Sequence, residues 1–263
     1  MTATMYDRPG RGQIWQTLNV IFAFSQVLIG FVGNVNGTND RFTTTNAMTP
    51  QVVPALYVFF VWPLIYLGCI AYAVYQALPR NRENELLRRI GPYTASAFLG
   101  STVWVVAAQS GWGWLTVTCI FWMLVSLIGA FIQFIEMRTP FAVTEHVFVV
   151  LPISIYTGWI TVASVANTAS ILKASGFSTI GLSDQNWSIL MLLIGGLIAA
   201  FVTLRSRGNV GYALTVIWAL IGVVVANVVR TPSIPVAVVA GSMAVLVTFA
   251  LLRTRLFERL SVA

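Results

Sequence analysis

Between Pro54 and Ala77 the chain reads PALYVFFVWPLIYLGCIAYAVYQA, a stretch with no charged residue. At 1.5 Å per helical residue, about 20 such residues cross the ~30 Å hydrocarbon core of a bilayer. Within it, Trp62 and Tyr66 stand four residues apart and therefore share one helix face. An indole N–H and a phenol O–H both need partners away from water. A helix facing only lipid would carry Leu or Phe there, so this face is expected to line a site.

Composition places the whole chain in the same class. Hydrophobic residues make up 57% of the 263 and charged residues 9%, against about 25% charged in soluble domains. Eight apolar segments stand out, at 14–33, 54–78, 91–110, 114–136, 147–172, 187–204, 211–229 and 236–252. They are continuously apolar rather than alternating, which argues for helices and against a β-barrel. The expected fold is therefore an all-α integral membrane protein of eight transmembrane helices. The first apolar run has no small-residue cleavage site after it and is read as a retained helix. Pro152 is expected to kink the fifth segment or mark its inner end.

The cations support that count. With eight helices and the N-terminus inside, the inner segments hold Arg8, Arg11, Arg80, Arg82, Arg88, Arg89, Arg138, Arg205, Arg207, Arg253, Arg255 and Arg259. The outer loops hold only Arg41, Lys173 and Arg230. That asymmetry follows the positive-inside rule and predicts both termini in the cytoplasm. The net charge of +7 then reflects topology rather than nucleic-acid binding.

Chemistry-bearing clusters are scarce. Cys69 and Cys119 are the two cysteines, and both fall inside spans as small apolar residues. One histidine, His146, excludes a multi-histidine metal centre. Glu136, Arg138, Glu145 and His146 gather at the inner end of helices 4 and 5, where a solvated loop with local ion pairs is expected. The spans hold no paired carboxylates, no Ser-His-Asp set and no phosphate-binding glycine loop. Asn36-Gly37-Thr38 and Asn186-Trp187-Ser188 match the glycosylation triplet, a pattern short enough to arise by chance.

Two polar stretches divide the chain. Asn34–Val53 is the longest outer loop and a candidate lid; Lys173–Asn186 separates five tryptophan-rich helices from three plainer ones. The expected units are residues 1–173 and 174–263. In the second, Gly195-x-x-x-Ala199 and Gly196-x-x-x-Ala200 have the spacing that permits close helix contact.

The first unit resembles the tryptophan-rich sensory protein family, also called TspO or translocator protein, a five-helix membrane bundle. Pro54, Val61-Trp62 and Tyr66 match the second-helix motif; Tyr156, Trp159 and Asn167 match the spacing of the fifth. Ser101 and Trp104 stand at the third-helix Asn-x-x-Trp places. Val53, Leu56, Val58 and Ile155 depart from the pattern, and TASILK at Thr168–Lys173 lacks the sterol-recognition tyrosine. The three last helices lie beyond the basic family pattern.

Depth adds an independent argument. Trp62, Trp104, Trp122 and Trp159 fall in the outer halves of four helices, and Trp62, Trp104 and Trp159 lie too deep for the interfacial aromatic belt that suits Trp15, Trp112, Trp114 and Trp187. Such rings can wall a site for a flat, mostly apolar ligand. The expected ligand-binding set is Trp62, Tyr66, Trp104, Tyr156, Trp159 and Asn167, holding a porphyrin, haem or similar lipophile in a receptor, sensor or translocator. Asn167 has an alternative reading as a plain inter-helix hydrogen bond. The competing expectation is a non-catalytic accessory or scaffold subunit of a larger membrane complex, or a homodimer, assembled through helices 6–8. Light- or oxygen-dependent breakdown of a bound tetrapyrrole is the enzymatic alternative.

Overall fold

The computed structural model describes residues 11–35, 49–137, 141–176, 181–230 and 232–260. The centre of the candidate lid, the Asn36 triplet, Arg41 and Arg138 lie outside these residues. Among the described residues every regular element is a helix. The long helices are α1 (Arg11–Val35), α2 (Val61–Ala77), α3 (Glu85–Ser110), α4 (Gly113–Glu136), α5 (Val143–Ala174), α6 (Asp184–Arg205), α7 (Val210–Val229) and α8 (Ile234–Leu260).

Local sequence explains the boundaries. Asn84, Ser183 and Asn209 cap α3, α6 and α7, each side-chain oxygen accepting a backbone N–H three residues on, from Leu87, Asn186 and Tyr212. Such caps satisfy donors that the first turn leaves open. Helix α3 stops at Gly111, whose φ of 76° is the left-handed conformation that glycine adopts without steric cost. Two helices differ from the sequence-based expectation. Residues 54–60 do not continue α2 as a regular helix but form a lead-in with a 3₁₀ turn at Leu56–Phe60. Helix α5 starts early and carries a π-helical stretch at His146–Val150, just before Pro152. Proline has no N–H to close a normal turn, and a π-bulge absorbs the freed carbonyl.

Seven of these helices are long and apolar enough to cross a membrane. The remaining one, α3, has 26 residues but carries Arg88, Arg89, Pro92 and a series of Ser and Thr. Its hydroxyls are spent on neighbours: Thr94 on Tyr72, Ser96 on Ser126 and Thr102 on Ser25, at 2.9 Å each. The polar side chains of α3 thus meet its neighbours, and the helix packs most extensively on α1 and α4.

Contacts at the helix ends fix the topology. The first residues of α1 meet the end of α2 and the start of α3 through Gln16–Gln76 and Asn19–Gly91. The start of α5 joins the same end through Asn84–Glu145. Asn209–Ser154 brings the start of α7 there, and the end of α8 packs Thr254 against Gly208. At the opposite end, Gln109 reaches Ile29, Asn167 meets Thr116, Lys173 pairs with Asp184 and Ser233 meets Gln185. All eight helices therefore alternate in direction. Arg80, Arg82, Arg88, Arg89, Arg205, Arg207, Arg253 and Arg255 fall at one end; Lys173 and Arg230 fall at the other.

Helices α1, α2, α5, α4 and α3 close a ring in that order, and α5, α7, α8 and α6 close a second. Helix α5 is the shared wall and the most buried of the spans. The α5–α7 crossing is close because Gly158 lies against the α7 backbone: a Cβ there would stand 2.8 Å from the Tyr212 carbonyl oxygen.

Candidate functional site: an aromatic cluster at the non-arginine end

Trp62 stands on the first turn of α2 and is the hub of the cluster. Its ring stacks on Tyr66 at 5.3 Å between centroids and on Trp104 of α3 at 5.9 Å. Two α5 rings meet it edge-on, Trp159 at 5.9 Å and Tyr156 at 6.4 Å. Each such pair contributes ~0.5–1.5 kcal/mol beyond the area it buries. Five of the six expected site residues are therefore assembled from three helices. Tyr156 and Trp159 are fully buried, whereas Trp62, Tyr66 and Trp104 keep some exposed surface. The Tyr156 hydroxyl donates to Met123 Sδ at 3.3 Å.

Asn167 is not part of this assembly. It donates through Nδ2 to Thr116 Oγ1 of α4 at 3.1 Å, which is the inter-helix hydrogen bond of the alternative reading. Trp122 also stays apart: 38% exposed, it donates its indole N–H to Ser96 Oγ at 2.8 Å. The sequence places it at the right depth but cannot say which way its face turns. His146, at the arginine-rich end, is remote from the rings. Asn186-Trp187-Ser188 lies in the first turns of α6 with Ser188 buried, unlike a loop acceptor.

Sequence reasoning missed three contributors. Phe59, in the 3₁₀ turn, packs edge-on against Trp159 at 5.4 Å, and Phe98 of α3 stacks on Tyr156 at 6.3 Å. Gln26 of α1 is the third. The fully buried positions of α1 are Asn19, Ala23 and Gln26, spaced i, i+4, i+7 on one face. That spacing was legible, but only as a stripe whose direction the sequence does not give.

The lead-in to α2 is held from the second ring. Gly222 of α7 accepts the Ala55 N–H at 2.9 Å, and a Cβ on Gly222 would overlap Val58 at 2.1 Å. Asn227 donates to the Gln51 carbonyl at 2.7 Å, and Arg230 donates to the Val53 carbonyl at 2.9 Å. Trp218 packs edge-on against Tyr57 at 5.3 Å. Helix α7 thus sets where Phe59 and Trp62 begin. Across α5 from the rings, a cavity of about 30 Å³ lies among Thr161, Val165, Met191, Gly195 and Val223, roughly the room of one water.

A family model described as TSPO-like protein matches residues 13–252. This chain belongs to the TSPO-like protein family. The match runs through α6–α8 as well as the five-helix ring, and with the apolar helices it makes the chain an integral membrane protein of a sensor or translocator family. No curated protein and no solved structure matches the chain.

Proposed function

We propose that this TSPO-like protein is a membrane sensor or translocator whose aromatic cluster binds a flat lipophilic ligand of tetrapyrrole type, a porphyrin or haem. The observation that carries the reading is the convergence of Trp62, Tyr66, Trp104, Tyr156 and Trp159 from three helices onto one point. Trp62 already stacks on Tyr66 and on Trp104, so a ligand stacks there by parting Trp62 from a neighbour. That motion is available to a residue on the first turn of its helix. Titrating purified protein with protoporphyrin while following tryptophan fluorescence tests this. Saturable quenching that weakens about tenfold in Trp62→Phe and Trp159→Phe supports it, a loss on the scale of a lost aromatic contact. Unchanged affinity in both variants refutes it.

The same reading puts the arginine-rich end in the cytoplasm with both termini, α3 across the membrane, and the cluster in the outer half. Cysteines placed at Asn84 and Ser183, in a background lacking Cys69 and Cys119, test the orientation. An impermeant thiol reagent labels Ser183→Cys in intact cells and spares Asn84→Cys; the reverse inverts the topology.

Helices α6–α8 we read as an extension that steadies the α2 lead-in. Gly196 faces Met243 of α8, and Ala199 and Ala200 are buried, so the small-residue spacings serve packing inside the chain.

A further inference from the structure

The second ring holds a groove of a different character. Its floor is the face of α7 that carries Val216, Leu220 and Val223, all buried, and its walls are α5 and α6. The walls are only half-buried at Val162, Val165, Met191 and Gly195. Helix α6 packs on α8 and touches α5 and α7 little. Where α5 and α6 do approach, a glycine stands: a Cβ on Gly195 would meet Val165 at 3.7 Å. The cavity of about 30 Å³ is thus the deep end of a seam between α5 and α6 that opens sideways, toward lipid. Among the residues lining it, Thr161 alone carries a hydroxyl, and it donates to the Thr157 carbonyl at 2.8 Å. Water there would find almost no partners, whereas hydrocarbon needs none.

The same face of α7 runs on to Asn227 and Arg230, which follow Val223 by four and seven residues and so share its side of the helix. Arg230 lies at the head of the seam: it donates to the Val53 carbonyl, and the adjoining Val52 lines the cavity. Its side chain is half-buried. Of the five N–H donors of a guanidinium, two are answered, by the carbonyls of Val53 and Pro54, which leave the charge unbalanced. The buried Nε has no partner. Asp184, the described carboxylate at this end, is taken by Lys173. A half-buried cation above an apolar seam fits a molecule with an anionic phosphate at its head and a hydrocarbon chain below. Fourteen residues separate Arg230 from Val216, about 21 Å at 1.5 Å per residue. One leaflet of hydrocarbon is ~15 Å deep, so a single acyl chain reaches from headgroup level into the cavity.

We propose that the α5–α6 seam is a phospholipid site, in which one acyl chain fills the seam down to the cavity and Arg230 holds the phosphate at its mouth. The site belongs to the second ring and stands whether or not the aromatic cluster takes a ligand. It gives Arg230 a second role, since the same guanidinium holds the lead-in to α2.

Phosphatidylglycerol and diacylglycerol with the same acyl chains share the hydrocarbon and differ in the phosphate. Native mass spectrometry of the delipidated full chain with each therefore separates the two halves of the site. Wild type is expected to retain one phosphatidylglycerol per chain, at least tenfold more tightly than diacylglycerol, the scale of a charge-assisted hydrogen bond. Arg230→Met is expected to bring phosphatidylglycerol down to the diacylglycerol level. Gly195→Leu, which fills the seam beside Val165, is expected to weaken both lipids. Equal retention of the two lipids by wild type, or binding untouched in both variants, overturns the site. Wild type alone gives a second readout that does not depend on how the variants fold. Phosphatidylglycerol with a photoactivatable diazirine at mid-chain is expected to label Thr161–Val165 and Met191–Gly195. Label spread over the exposed faces of α1 and α4 means annular lipid only, and label at Trp62 places the lipid in the first ring. A lipid-free dimer means that a second copy of the chain covers the seam. Each of these three outcomes refutes the proposal.

Discussion

Gly158 and Trp159 are neighbours on α5, yet they serve different rings. Trp159 meets Trp62 and Phe59 in the first ring; Gly158 lets the α7 backbone approach in the second. The first ring is lined by aromatic rings and by the hydroxyls of α3. The second is packed by Ala, Val and Gly, as at Ala213, Val216, Ala219 and Val223 of α7. Lipid tails are as apolar as a leucine core, so helices in a membrane gain little from burying hydrocarbon and associate through close fit. The second ring shows that economical solution. The first departs from it by gathering aromatic rings from three helices around Trp62. The second ring also reaches across: Gly222, Asn227 and Arg230 hold the segment that delivers Trp62.

The contrast is open to direct tests, beginning with the most damaging change. Trp159→Ala removes a fully buried ring and is expected to destabilise by ~3–5 kcal/mol, read as a lower midpoint in SDS unfolding; a change below ~1 kcal/mol would show that the ring is not packed as described. Gly158→Val drives a branched side chain into the Tyr212 backbone and is expected to cost ~1–3 kcal/mol. Gly195→Ala is the control, since its Cβ would meet only Val165 at 3.7 Å, and its midpoint should match wild type. If the two glycine variants behave alike, close approach is not what joins the rings.

Arg230→Met tests the reach across the rings. It deletes the charged donor to the Val53 carbonyl and is expected to cost ~1.5–3 kcal/mol if that bond is retained in the bilayer. It should also alter the near-UV circular dichroism of the tryptophans while leaving helix content intact. An unchanged aromatic spectrum would separate the second ring from the site. The smallest effect belongs to Asn167 and Thr116. A double-mutant cycle with Asn167→Ala and Thr116→Val should give a coupling of ~0.6 kcal/mol, with no change in porphyrin quenching. A loss of quenching would return Asn167 to the site.

Much of this arrangement was legible in the residues. The Trp62–Tyr66 spacing put both rings on one face, and the fifth-helix spacing put Tyr156 and Trp159 beside them. The arginines marked one end. Equal depth, however, does not mean equal facing: Trp122 and Asn167 sit at suitable heights and turn to other neighbours. Phe59 escaped notice because it lies on a 3₁₀ turn rather than on the expected helix.

The sequence by itself determined the class, the helices and the end at which cations collect, because span length, hydropathy and charge act locally along the chain. Tertiary structure alone decided that α5 is shared by two rings, that the α3 hydroxyls meet α1, α2 and α4, and that Gln26 is buried. The physical reason is the solvent. In water, polarity tells a helix which face to hide; in lipid both surroundings are apolar, so facing is set by shape, by small residues at crossings and by the few hydrogen bonds between helices.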